Sequence, residues 1–165
     1  MRKIMTQTQL DNALIGAVID GKVDEVKRLV NEGAQVDVVD CDGWTPLHFA
    51  AKQGHGVVAE MLLDTGAKVD AAGKDGWQPL HLAAYNDNMD VVDVLLGHGA
   101  DPTVAVEEGR APFTVARTPR GLCSEAETRM VLEKASLEWR ESGTLADHIR
   151  RQRYLGSLRP KVPSL

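Results

Sequence analysis

Apolar positions recur along residues 9–98 at the three- and four-residue spacing of an amphipathic helix, in short runs separated by glycines. In the central unit these positions are Leu47, Ala50, Ala51, Val58, Met61 and Leu62. Gly43 precedes the first run, Gly54 separates the two runs and Gly66 follows the second. Glycine suits such positions because turns and helix ends often need a left-handed backbone. The pattern predicts pairs of short helices joined by tight turns.

The same unit is written twice with a period of 33 residues. Residues 33–65 and 66–98 share 15 of 33 positions, whereas average composition would give about two by chance. The strongest match is Asp-Gly-Trp-Thr-Pro-Leu-His-Phe-Ala-Ala at 42–51, which returns as Asp-Gly-Trp-Gln-Pro-Leu-His-Leu-Ala-Ala at 75–84. Because one helix pair cannot bury its apolar face alone, the units are expected to stack.

Each unit also carries its own start and stop signals. Proline suits the first turn of a helix, where its missing N–H has no intrahelical partner, and Thr45 is a favourable N-cap. Gly66 and Gly99 suit the left-handed position after a helix. The residues that define the motif are Thr45, Pro46, Leu47, His48, Pro79, Leu80, His81, Gly66 and Gly99.

These residues carry a family resemblance. Residues 45–50, Thr-Pro-Leu-His-Phe-Ala, match the ankyrin-repeat signature at every fixed position, and residues 78–83 depart from it only at Gln78. The chain therefore resembles an ankyrin-repeat protein. The resemblance implies an all-α solenoid of paired antiparallel helices, with loops that project as β-hairpin-like fingers. It also implies that His48 and His81 form hydrogen bonds inside the turn network.

The repeat frame predicts the domain organisation. We expect a polar tail at 1–8, an ankyrin-repeat domain at 9–142 and a basic helix and tail at 143–165. The first and last repeats have lost most of the signature, as capping units that face water should. Ser124 and Glu127 form a capping-box pattern that predicts a long helix up to Ser142. The predicted repeats cover 9–32, 33–65, 66–98 and 99–142.

Charge and composition narrow the function classes. The chain carries −5, but residues 143–165 hold five basic side chains and one acidic one, so the first 142 residues carry −9. A solenoid with this negative charge is a poor candidate for binding nucleic acid. Two cysteines without a metal or disulfide spacing favour a reducing compartment. Without a signal peptide or a transmembrane run, we expect a cytoplasmic protein, and a nuclear location stays open. We also expect a monomer.

No catalytic pattern accompanies the repeats. The sequence has no glycine-rich phosphate loop and no nucleophile or metalloprotease motif, and the 33-residue period accounts for His48 and His81. We therefore expect no enzyme activity, no cofactor and no metal site.

The predicted function is that of an adaptor, scaffold or inhibitor that binds a protein partner on the concave surface formed by the fingers and the first helix of each pair. Trp44 and Trp77 occupy the same position in adjacent repeats, and the resemblance places that position on the concave surface. Two interpretations remain open, since tryptophan is enriched at interface hot spots but also stabilises repeat stacking. The predicted contact residues are Trp44, Trp77, Tyr85, Lys74, Asp75, Asp42, Lys52, Gln53, Asn86 and Arg110.

The basic segment 143–165 leaves several alternatives open. It could fold back on the acidic solenoid, remain free, or bind an acidic partner or an anionic membrane surface. A fourth alternative is a ubiquitin-ligase adaptor box, suggested by Thr144 and Leu145, although Ile149 occupies a position where that box has a small residue or cysteine. Recruitment through this segment is the alternative to binding on the concave surface.

Overall fold

The computed structural model describes residues 5–74, 76–104 and 130–138. These residues form six complete helices in three antiparallel pairs, and residues 130–138 are also helical. No β-strand occurs within the described ranges. The helices are α1 (Gln7–Ile19), α2 (Val23–Asn31), α3 (Pro46–Gln53), α4 (Gly56–Asp64), α5 (Pro79–Tyr85) and α6 (Met89–Gly97). The predicted all-α solenoid is confirmed.

The predicted helix signals lie where the sequence placed them. Pro46 and Pro79 are the first residues of α3 and α5, and Thr45 and Gln78 precede them in extended conformation. Gly54 ends α3 with φ 79°, in the left-handed region. Its equivalent in the next unit is Asp87, which adopts φ 58° without being glycine. Aspartate tolerates this region better than most side chains, so the turn is kept.

The core is built from equivalent residues one period apart. Leu14, Leu47 and Leu80 are fully buried in the first helices of the three pairs, α1, α3 and α5, which we call the inner helices. Leu29, Leu62 and Leu95 are equally buried in the outer helices α2, α4 and α6. The inner helices contact one another more extensively than the outer helices do. The stack therefore curves with the inner helices on its concave side.

Aspartate carboxylates connect successive units. Asp37 Oδ1 accepts a hydrogen bond from the backbone N–H of Lys68 at 3.0 Å, and Asp70 Oδ1 accepts one from Asp101 at 3.3 Å. Asp37 and Asp70 are one period apart, and so are their donors. These bonds satisfy backbone groups that no helix or sheet pairs.

The predicted boundary of the N-terminal tail is wrong at residues 5–8. Helix α1 begins at Gln7 and is capped by Thr6, whose hydroxyl accepts the N–H of Gln9 while the Gln9 side chain accepts the N–H of Thr6. Met5 packs against the core. This capping box extends the first repeat toward the N-terminus, and the spacing of Thr6 and Gln9 was its signal in the sequence.

Residues 130–138 lie within the long helix predicted from Ser124 to Ser142. Leu132 is fully buried, and the Ser136 hydroxyl donates a hydrogen bond to the Pro102 carbonyl at 3.2 Å. This helix therefore packs on the end of the third unit. Residues 105–129 and 139–142 of the predicted fourth repeat lie outside the described residues, as do the basic segment 143–165, Asp75 and Arg110.

Candidate interaction surface

Each finger is closed at its tip by backbone hydrogen bonds. The N–H of Asp40 donates to the Trp44 carbonyl at 3.1 Å, and the equivalent N–H of Gly73 donates to the Trp77 carbonyl at 2.9 Å. The N–H of Lys74 also donates to the Asp42 carbonyl of the preceding finger at 3.0 Å. The fingers are thus tight, hairpin-like loops, and neighbouring tips are tied together.

Trp44 contacts residues of its own repeat and of the next finger. Its ring stacks on His48 with centroids 6.1 Å apart and planes at 14°, and it meets Phe49 edge-on at 5.6 Å. A β-carbon added to Gly73 would come within 2.9 Å of the Trp44 ring, so the glycine allows the next finger to approach. The Lys52 ammonium covers the ring at 5.1 Å from its centroid, a cation–π contact. Trp44 is therefore half-buried between two repeats.

Trp77, like Trp44, has two aromatic ring neighbours from its own repeat. It meets His81 and Tyr85 edge-on, each with a centroid separation of 5.9 Å. The tyrosine ring itself is half exposed, at 50%. Trp77 therefore packs against the ring of Tyr85, and Tyr85 is the residue of this pair that is exposed to solvent.

Lys52 and Tyr85 are equivalent residues at the ends of α3 and α5, and the same position in α1 is Ile19. We call Ile19, Lys52 and Tyr85 the inner-helix row. Ile19 is 38% exposed. Ile19 is not among the contact residues predicted from the sequence, although a shift of one period from Lys52 leads to it. The row crosses three units on the concave side and presents aliphatic, cationic and aromatic side chains in turn.

Polar residues border the row. Gln53 and Asn86 follow it at the ends of α3 and α5, and both are exposed. The Asn86 side-chain amide donates to the Leu82 carbonyl at 2.8 Å, which fixes its orientation. Asp42 and Lys74 are exposed at adjacent finger tips. The structure therefore brings eight of the ten predicted contact residues to the fingers and inner helices, while Asp75 and Arg110 are not described.

His48 has a structural role that its hydrogen bonds explain. Its Nδ1 accepts the N–H of Thr45 at 3.0 Å and lies 2.8 Å from the Thr45 hydroxyl. Because Nδ1 must accept, Nε2 carries the proton and donates to the Trp77 carbonyl of the next finger at 3.0 Å. Burial lowers the pKa of His48, although the bond to Trp77 opposes this. The neutral ring therefore joins two repeats.

His81 repeats this arrangement with one defect. Its Nδ1 accepts the N–H of Gln78 at 3.3 Å, and its Nε2 lies 3.0 Å from the Val104 carbonyl. Gln78 is buried where Thr45 stands in the preceding unit, and its amide nitrogen donates to the Asp70 carbonyl at 3.2 Å. Its amide oxygen has no hydrogen-bond partner among the described residues. The Gln78 side chain faces the N–H of His81 at the N-cap of α5, but its buried amide oxygen makes no hydrogen bond of ordinary length within the described ranges.

One group of potential metal ligands occurs in the described ranges, formed by Asp40, Cys41 and Asp42 at a finger tip. Asp40 Oδ1 already accepts the N–H groups of Asp42 and Trp44, at 2.9 and 2.8 Å. The carboxylate therefore holds the turn, and the proximity of the three residues follows from their adjacency in the chain. None of the described helices is long and apolar enough to cross a membrane.

Comparison with known proteins identifies the class of protein that this geometry defines. The family model for ankyrin repeats (three copies) matches residues 14–106, more than half of the chain. The chain belongs to the ankyrin-repeat family, which confirms the resemblance found in the sequence. The repeats of this family are modules of protein–protein interaction, built as curved stacks with a concave binding surface.

Curated relatives match over a short region. The Notch-regulated ankyrin repeat-containing protein of Xenopus tropicalis is 49% identical over 43 residues, which cover 26% of this chain and 38% of that protein. Protein phosphatase 1 regulatory subunit 27 of Mus musculus is 43% identical over 51 residues, or 31% of this chain and 33% of that protein. The chain thus matches less than two-fifths of the length of these relatives.

Proposed function

We propose that this protein is a non-catalytic interaction module that binds a protein partner on the concave surface formed by the fingers and inner helices. The observation that carries the proposal is the inner-helix row. Ile19, Lys52 and Tyr85 differ from one another, whereas the buried residues of the same helices, Leu14, Leu47 and Leu80, are identical. A frame that repeats while its exposed row varies can present a distinct chemical surface to one partner.

The chemistry of the surface supports a protein ligand. Exposed aromatic and aliphatic side chains act as interface anchors when polar side chains surround them. Tyr85 and Ile19 provide the apolar area, and Lys52 provides a cation held above Trp44. Gln53, Asn86, Asp42 and Lys74 supply the polar rim. Asp75 and Arg110 belong to the proposed surface on their sequence positions alone.

The structure refines the proposed role of the two tryptophans. Trp44 packs against His48, Phe49 and the next finger, so its removal should lower stability as well as binding. Tyr85 is exposed and its contact with Trp77 is an edge contact, so its removal should lower binding with little loss of stability. Tyr85 and Lys52 are therefore better probes of the interface than Trp44.

The relatives are consistent with such a role. One of them is named as a regulatory subunit of a phosphatase, and the other is named as an ankyrin repeat-containing protein. We propose for this chain only the general part of that role, which is regulation or scaffolding by binding.

The test compares Tyr85→Ala and Lys52→Glu with Met130→Ala, a matched loss of an exposed apolar side chain (65% exposed) in the 130–138 helix. Each variant is used to capture partners from a lysate of the source cells, and Kd is then measured for the partner that the wild type retains. We expect a loss of at least about tenfold for Tyr85→Ala and Lys52→Glu, the scale of a hot-spot residue. Met130→Ala should bind normally.

Two results would contradict the proposal. If both row variants bind as tightly as the wild type, the concave surface is not the site. If deletion of residues 143–165 alone abolishes binding, the alternative function, recruitment through the basic segment, is correct. That alternative is supported by the charge contrast between the segment, at +4, and the chain as a whole, at −5.

A further inference from the structure

A groove lies at the turns between the inner and outer helices of the first two units, where Gly21, Gly54 and His55 line it. It has a volume of about 530 Å³ and lies between the start of α2, the first turns of α4 and helix α6. Its walls include the apolar residues Val23, Val57, Val58 and Val94, and Glu60 and Asp90 add carboxylates. We call this the outer groove. Its open shape can accept side chains of another segment.

Val57 is an exposed apolar residue among those that line the outer groove, which is unusual for its position in the repeat. Its side chain is 63% exposed. The equivalent residues in the first and third units are Asp24 and Asp90, so the repeat normally places a carboxylate there. Repeat geometry does not require valine at this position, because aspartate occupies it in both neighbours. An apolar residue that replaces a solvated charge favours a contact that covers it.

The outer groove is also electrostatically one-sided. Its described lining residues include Glu60 and Asp90 but no Lys or Arg. The described residues together hold seventeen acidic side chains and seven Lys or Arg, a net charge of −10. Residues 76–104 contain four aspartates and no Lys or Arg. A ligand for this groove should therefore be basic and should carry apolar side chains for Val57.

The chain itself contains a segment of that chemistry. Residues 143–165 carry a net +4, and Arg150, Arg151 and Arg153 lie between the apolar Ile149 and the pair Tyr154 and Leu155. The segment is tethered close by, because the 130–138 helix packs on the third unit through Ser136 and Pro102. Twelve residue steps from Glu138 to Arg150 span at most about 40 Å. Neighbouring helices lie about 8–10 Å apart, so the groove is within reach.

We propose that the basic segment 143–165 docks in the outer groove of its own chain, with its arginines near Glu60 and Asp90 and its apolar side chains over Val57. Docking on the outer side leaves the concave surface free to bind a partner. It also means that an acidic partner of the segment must first displace it from the groove. The effective concentration of a tethered segment favours this intramolecular contact over a free ligand.

The experiment maps backbone amide chemical shifts in the full-length protein by NMR. The wild type is compared with a full-length variant that carries Arg150→Gln, Arg151→Gln and Arg153→Gln. We expect shift changes at Val57, Glu60 and Val94 and none at the concave residues Asp42 and Lys52. The three substitutions keep the length of the segment, so only its charge is changed.

A second variant tests the groove side of the contact. Glu60→Lys places in α4 the residue that the first unit has at the same position, Lys27, so the fold should tolerate it. Because pairs of exposed charges contribute little, this reversal should lower the docking equilibrium constant by up to about fivefold. Glu133→Lys, which makes the same charge change in the 130–138 helix, should leave docking unchanged.

Three outcomes would overturn the proposal. Shift changes confined to the fingers or inner helices would place the segment on the concave surface. Groove shifts that grow with protein concentration would indicate a second copy as the occupant. The absence of any shift change would show that the segment does not dock. The proposal stands independently of concave-surface binding, since none of these measurements requires an external partner.

Discussion

Replacing Gln78 by threonine should stabilise the protein, because it restores the motif at the position where the third unit departs from it. In the wild type the amide oxygen of Gln78 is buried without a partner among the described residues. The second unit shows the alternative, in which the Thr45 hydroxyl lies 2.8 Å from Nδ1 of His48. Gln78→Thr should place a hydroxyl at the same distance from His81.

The magnitude follows from three contributions. Removing a buried unpaired acceptor should recover about 1–3 kcal/mol, and a new hydroxyl–imidazole bond should add about 0.5–1.5 kcal/mol. Against these stands the lost bond from the Gln78 amide to the Asp70 carbonyl, of similar value to the new bond. Some apolar contact of the longer side chain is also lost, at about 0.8 kcal/mol per methylene. We expect a net gain of about 1 kcal/mol, or about 2–4 °C in Tm for a chain of this size.

Urea and thermal unfolding, followed by circular dichroism, measure this change. The reciprocal variant Thr45→Gln is the matched control and should lose about 1–2 kcal/mol, because it introduces the same buried amide oxygen into the second unit. If Gln78→Thr unfolds at lower temperature than the wild type while Thr45→Gln is neutral, the explanation by an unpaired acceptor is refuted.

Two further predictions concern the contacts between repeats. Burial lowers the pKa of His48 below its ordinary value of 6.5, so the unfolded chain binds a proton at higher pH than the folded chain. The contribution of His48 to the free energy of unfolding should be fully present above about pH 7. It should fall as the pH drops below the ordinary histidine pKa, by up to about 1.4 kcal/mol per pH unit. Urea unfolding of the wild type and His48→Gln at about pH 5.5 and 7.5 tests this, and equal pH slopes would contradict it. Gly54→Ala should cost about 2–3 kcal/mol in urea unfolding, because φ is 79° and the new β-carbon would lie 2.7 Å from Asn88 Oδ1. Gly33→Ala has the backbone strain (φ 98°) but open space around it, so an equal loss in both variants would exclude the inter-repeat contact as a cause.

The fold was largely readable from the sequence, because its determinants are local and repeated. Pro46 and Pro79 set the helix starts, and Gly54 and Gly66 set the turns whatever lies around them. The repeat period placed equivalent leucines in equivalent core positions. The start of α1 was missed because Thr6 lies before the first predicted repeat, which begins at residue 9, although the capping box of Thr6 and Gln9 is itself a local signal.

The candidate surface could be predicted only in part from the sequence. The sequence placed Lys52 and Tyr85 on one surface, since the period relates them, but it could not assign different roles to Trp44 and Trp77. Their burial depends on which side chains the fold places against them. Gly73 of the next finger and Lys52 of the same repeat lie against Trp44, whereas Tyr85 of the same repeat lies against Trp77. The unpaired oxygen of Gln78 was equally hidden, because hydrogen-bond satisfaction is a property of the surroundings.

By itself, then, the sequence determined the repeat, the helix ends and the identity of the core, which follow from backbone preferences and periodic burial. The tertiary structure decided which side chains are exposed, which polar groups are paired and where the outer groove opens. These features depend on the distance between units, and that distance is set by packing across the stack. In the sequence, Val57 is an ordinary helical residue. Only when α2, α4 and α6 lie side by side does it become an exposed apolar residue that lines a groove.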